Sequence, residues 1–121
     1  MKILIADESS YQRLQISYSL NKNKEIECFL KSDMNSTLTR LEEGDIDIVI
    51  IDAGLGSSQR SNFIKRINEI SQKTKVILTI PAQYISKLKE IETTLLTNKI
   101  STINKPISSS ALLELIKSSY N

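Results

Sequence analysis

Five short apolar runs recur along the chain, KILIA, IECFL, IDIVII, KVILTI and ISTI, and they constrain the fold more than anything else. The third and fourth are apolar almost without a break. A strand wetted on one face alternates apolar with polar; an unbroken run suits a parallel strand covered on both faces. The covering helices are visible between the runs. Tyr11, Leu14 and Tyr18 share one helical face, as do Met34, Leu38 and Leu41, then Phe63, Ile67 and Ile70. Ile85, Leu88 and Leu95 make a weaker fourth stripe, and Leu112, Leu115 and Ile116 the fifth. Ser108 suits the N-cap of the last helix, with Ile107 and Leu112 spaced as a hydrophobic staple. Five βα units imply an α/β fold: a doubly wound parallel sheet, (βα)5, with right-handed crossovers and strand order 2-1-3-4-5.

At 121 residues the chain reads as one domain, 1–121, large enough to bury a core. Its net charge of +2 comes from scattered basic residues, which gives no argument for nucleic acid or for a membrane surface. No stretch has the length of a membrane span and no signal-peptide pattern opens the sequence. The single Cys28 excludes an internal disulfide, so a cytoplasmic setting is expected. There is no histidine. That removes Ser-His-Asp and Cys-His catalysis and every His-ligated metal site.

In such a sheet, ligands sit beyond the carboxyl ends of the strands. Those ends carry Asp7 and Glu8 after the first run, Asp52 after the third, Thr79 near the end of the fourth and Lys105 after the fifth. Two adjacent carboxylates closing a buried strand repel each other and are costly to desolvate. Three carboxylates at one edge make a hard-oxygen site for a divalent cation, most naturally Mg²⁺, which takes few protein ligands and keeps several waters. The ion is expected to offset the repulsion among Asp7, Glu8 and Asp52. Lys105 adds a point charge for an anion, and Thr79 a hydroxyl that donates to it. A carboxylate nucleophile, a metal, a lysine and a hydroxyl suit phosphoryl transfer, with the central Asp52 as acceptor.

The motifs ADESSYQR, IDIVIIDAGLG, VILTI and INKP, in that order and spacing, resemble a two-component response-regulator receiver domain over the whole chain. The resemblance implies a flavodoxin-like fold in which Asp52 accepts a phosphoryl group from a sensor histidine kinase or phosphotransfer protein. It implies that Glu8 and Asp52 hold Mg²⁺, that Asp7 assists, and that the Gly54 carbonyl adds a backbone ligand. Thr79 becomes the switch hydroxyl and Lys105 the phosphate-pairing lysine, with a cis Lys105-Pro106 bond. The partners implied are the kinase and a downstream protein target or output domain. The chain is then a phosphoacceptor that assists its own phosphorylation and dephosphorylation, not an enzyme.

Three positions depart from the family pattern. Gly56 stands where Pro is common, so a looser loop after Asp52 is expected. Ile80 replaces a small residue after the switch threonine and is expected to narrow access to the site. Thr102 replaces the aromatic ring that usually turns inward on strand five, which leaves Tyr84 as the candidate moving ring. These departures favour an alternative, a pseudo-receiver that binds proteins independently of phosphorylation. A Mg²⁺-dependent phosphohydrolase is a weaker reading, because the position of its acid/base Asp is Gly54. No glycine-rich phosphate loop follows the first strand, which argues against a nucleotide-binding protein. Tyr11 and Tyr18 are read as rim residues of the core, Ser9 and Ser10 as caps of the first helix, and Cys28 as an unreactive strand hydrophobe.

Overall fold

The computed structural model describes residues 1–56, 59–87 and 100–119. Five parallel strands form one sheet: β1 (Lys2–Ala6), β2 (Glu27–Lys31), β3 (Ile48–Asp52), β4 (Lys75–Ile80) and β5 (Ser101–Asn104). Their order is β2-β1-β3-β4-β5, as the sequence predicts. The described α-helices are α1 (Ser10–Asn21), α2 (Met34–Glu42), α3 (Arg60–Ile70) and α4 (Ser109–Ser118), with a 3-10 helix at Ala82–Lys87 after β4. Leu88 and Leu95 of the fourth stripe lie outside the described residues, and Ile85 falls in the 3-10 helix.

Alternate strand residues feed two separate cores, because successive side chains point to opposite faces. Ile3, Ile5, Ile48, Ile50 and Ile77 meet Ile16 and Leu20 of α1 and Leu112 and Ile116 of α4. Leu4, Ala6, Val49, Ile51, Leu78 and Ile80 meet Leu41 of α2 and Phe63, Ile64 and Ile67 of α3. The central runs are continuous because both faces are covered. Caps fix where the helices begin: Ser9, Asp33 and Ser108 accept hydrogen bonds from Gln12, Ser36 and Ala111 backbone N–H groups.

One helix sits differently from its sequence reading. In α1 the stripe Tyr11, Leu14 and Tyr18 faces solvent, at 65%, 60% and 71% exposure, while Ile16 and Leu20 face the sheet. Tyr11 and Tyr18 are thus not rim residues of the core. Both faces of α1 carry apolar residues, so periodicity alone does not say which one is inside.

Ile80 is also placed differently. It is 2% exposed and packs in the core beside α2 and α3, so its side chain fills the interior and is not a free-standing obstacle at the site. Gly56 has a positive φ of 60°, and a Cβ there would lie 2.1 Å from the Met34 sulfur. Proline cannot adopt this left-handed φ, and any side chain here would have to displace the Met34 side chain.

Candidate functional site

Because the strands are parallel and in register, their carboxyl ends lie side by side. Asp52 pairs in register with Thr79 on the neighbouring strand, and the Asp7 N–H continues the β1–β2 ladder by donating to the Lys31 carbonyl. β5 ends at Asn104, and the Lys105 N–H donates to the Ile80 carbonyl at 3.0 Å. The Lys105-Pro106 peptide bond is cis. The end of β5 and the Lys105 N–H bond to Ile80 deliver the lysine side chain to the ends of β1 and β3.

The Lys105 ammonium bridges two carboxylates, donating to Asp7 Oδ2 at 2.9 Å and lying 2.8 Å from Asp52 Oδ1. The Thr79 hydroxyl approaches the same Asp52 oxygen at 3.5 Å. Asp52 Oδ2 accepts from the Gly54 N–H at 3.1 Å, and Asp7 Oδ1 accepts from the Ser9 N–H at 2.9 Å. All three charged side chains are largely buried, with 4%, 13% and 14% exposure for Asp7, Asp52 and Lys105. Burial works against the Lys105 charge, but hydrogen bonds to Asp52 and Asp7 and their negative charges outweigh it. The lysine therefore holds its proton to higher pH than an ordinary lysine.

Glu8 stands apart. It is exposed and lines a shallow hollow with Asp33, Met34 and Gln59. Among the described residues, no three acidic, His or Cys side chains converge as a metal-binding group. Of the three expected carboxylates, Asp7 and Asp52 are the two that Lys105 bridges, and its charge offsets their repulsion. The donor chemistry still suits Mg²⁺: hard carboxylate oxygens and a nearby backbone carbonyl, few enough to leave room for water. Asp7 and Asp52, with Glu8 one residue away, are the side chains that would hold it.

Two arginines in the site's surroundings were not singled out by the sequence reading. Arg13 Nη1 donates to the Asp7 and Glu8 carbonyls at 2.5 and 3.1 Å, pinning the turn that presents both acids. Arg60, only 4% exposed, donates from Nε and Nη2 to the Ala53 carbonyl at 2.9 and 2.6 Å. Its guanidinium lies 5.7 Å from the Tyr84 ring centroid. The Tyr84 hydroxyl in turn crowds Gly54, where a Cβ would sit 3.1 Å from it and 2.9 Å from Asp52 Oδ2. The one signal in the sequence was a cation opening a helix, at the end where the dipole disfavours it.

Comparison with known proteins agrees with this geometry. A model of the response regulator receiver domain family matches residues 3–117. The Fimbriae Z protein of Escherichia coli strain K12 is 32% identical over 76 residues, and that of Salmonella typhimurium is equally similar. The match covers 62% of this chain but only 36% of those proteins' length. Among solved structures, a response regulator receiver domain protein from Clostridium thermocellum superposes with a TM-score of 0.85 at 21% identity, over 98% of this chain and 92% of that one. A CheY-like receiver domain protein from Methanospirillum hungatei gives 0.84 at 18%, covering 98% and 91%. At such identities these likenesses speak to the fold alone. The family match, the strand order and the Asp–Lys–Asp bridge together lead to one statement: the chain belongs to the response regulator receiver domain family.

Proposed function

We propose that this receiver domain takes a phosphoryl group onto Asp52 from the phosphohistidine of a sensor kinase or phosphotransfer protein, in a Mg²⁺-dependent reaction. The observation that carries the reading is the Lys105 ammonium held 2.8 Å from Asp52 with the Thr79 hydroxyl beside it. An Asp52 carboxylate oxygen attacks phosphorus as the bond to the donor histidine nitrogen breaks. Lys105 pairs with the transferred oxygens, and Thr79 donates to one of them. Asp7, Glu8, Asp52 and the Gly54 carbonyl would hold the cation, which would supply positive charge beside the phosphoryl oxygens. Attack of water on the same phosphorus returns the carboxylate and inorganic phosphate. The domain in this reading is a self-assisting phosphoacceptor of the cytoplasm, not an enzyme with a separate substrate.

The output is a changed protein-binding surface read by a downstream target or output domain. Thr102 is small and exposed on β5, so it has no ring to turn inward. Tyr84, packed against Gly54 beside Asp52, is the ring placed to respond. Intact-mass measurement after incubation with acetyl phosphate and Mg²⁺ tests the acceptor. The parent should gain one phosphoryl mass and Asp52→Asn none; equal labelling of the two rejects the assignment.

A further inference from the structure

The two peptide units that follow Asp52 are held at every polar group. In the first, the Ala53 N–H donates to the Thr79 carbonyl at 2.8 Å, and the Asp52 carbonyl accepts from the Leu55 N–H at 2.9 Å. In the second, the Gly54 N–H donates to Asp52 Oδ2 at 3.1 Å, and the Ala53 carbonyl accepts from Arg60 Nε at 2.9 Å and Nη2 at 2.6 Å. Arg60 therefore completes a set that the backbone and Asp52 otherwise make for themselves. Both its burial and its place in the first turn of α3 work against a cation. The fork on the Ala53 oxygen is charge-assisted and works in its favour.

We propose that Arg60 is a positioning residue for Asp52, acting through the Ala53–Gly54 peptide; the inference rests on the reading of Asp52 as the phosphoryl acceptor. A trans peptide carries its oxygen and its N–H on opposite sides. This unit thus accepts from a cation at one end and donates to a carboxylate at the other. Charge at the oxygen polarises the amide and strengthens its N–H as a donor. The same peptide decides which carboxylate oxygen it anchors. Oδ2 is held by Gly54, which leaves Oδ1 facing Lys105 at 2.8 Å and the Thr79 hydroxyl at 3.5 Å. Without the guanidinium, the carbonyl of the fully buried Ala53 loses its partners, and the peptide turns to find another. Asp52 then loses the anchor on Oδ2. Tyr84 confines both ends, its ring centroid 5.7 Å from the Arg60 guanidinium and its hydroxyl 3.1 Å from the place of a Gly54 Cβ.

Arg60→Gln and Arg60→Lys test this, with circular dichroism and urea unfolding to establish that each variant is folded. The first readout is NMR of the unphosphorylated protein without metal. In Arg60→Gln the Gly54 amide proton should move upfield, and further than those of Ala53 and Leu55, as its bond to Asp52 weakens. The second is intact mass against time with acetyl phosphate and Mg²⁺. Because Arg60 acts on the nucleophile's orientation, Arg60→Gln should lower the maximal rate about tenfold and leave the half-saturating acetyl phosphate concentration unchanged. Arg60→Lys keeps the charge but not the fork, so it should fall between the two in both readouts, and it decides alone if Arg60→Gln does not fold. A purely structural Arg60 lowers the urea midpoint and moves neither readout. A Gly54 proton displaced no further than its neighbours overturns the proposal, and so does a maximal rate equal to the parent's. If the parent itself gains no phosphoryl mass, the acceptor reading fails, and the Gly54 proton alone decides whether Arg60 positions Asp52.

Discussion

A single ammonium stands between two carboxylates that otherwise repel each other across the end of the sheet. Removing it leaves Asp7, almost wholly buried, facing Asp52 with no cation between them. Lys105→Met should therefore destabilise the domain by about 3 kcal/mol at neutral pH, the usual scale for breaking one side of a buried ion pair. The pH dependence follows from the raised Lys105 pKa. Stabilisation from a group whose folded pKa is raised is fully present below its unfolded value, 10.5, and is lost as pH rises through the folded one. The gap in urea midpoint between parent and Lys105→Met should thus be constant from pH 7 to pH 9 and close above pH 10.5. A gap that closes near neutrality contradicts the bridge. The site side chains were legible because they are the polar residues that end apolar strands. Arg13 and Arg60 were not, since both act by donating to backbone carbonyls, and no residue spacing advertises a carbonyl. Cys28 was legible as inert, and burial pushes its thiol up to about 11.

Among the elements, β4 and α1 show where sequence patterns inform and where they fail. The run KVILTI identifies a strand buried on both faces, but it does not say that Ile80 packs in the core beside α2 and α3. The structure turns an expectation about access into one about packing. Ile80→Ala should cost about 3 kcal/mol of stability through the cavity it leaves, measured as a lower urea midpoint. If stability is unchanged and only phosphorylation accelerates, the side chain guards the site after all. In α1 the reading sets Tyr11 and Tyr18 at the core rim, whereas they face solvent and Ile16 and Leu20 lie inside. Two apolar stripes compete for one sheet, and the choice rests on how the β1–α1 turn, pinned by Arg13, directs the helix. That information lies in side-chain hydrogen bonds to the turn rather than in the period. The glycine at Gly56 was legible as a departure, but its left-handed backbone and the Met34 side chain beside it were not.

Across the whole molecule the strand order, the parallel pairing and the two-sided core were all readable, since they follow from apolar runs alternating with helical stripes. What the runs also specify is parity. Odd and even positions of β3 go to different cores: Ile48 and Ile50 to α1 and α4, Val49 and Ile51 to α2 and α3. The sheet behaves like a text read two letters at a time. A substitution misspells one letter, whereas inserting one alanine between Val49 and Ile50 shifts the frame of everything after it up to Asp52. Such an insertion should abolish cooperative urea unfolding, while the same alanine placed in the α1–β2 turn near Asn23 should be tolerated. Length, in the central strands, is then a stricter inheritance than identity, and the Asp52 carboxylate keeps its place by being counted to.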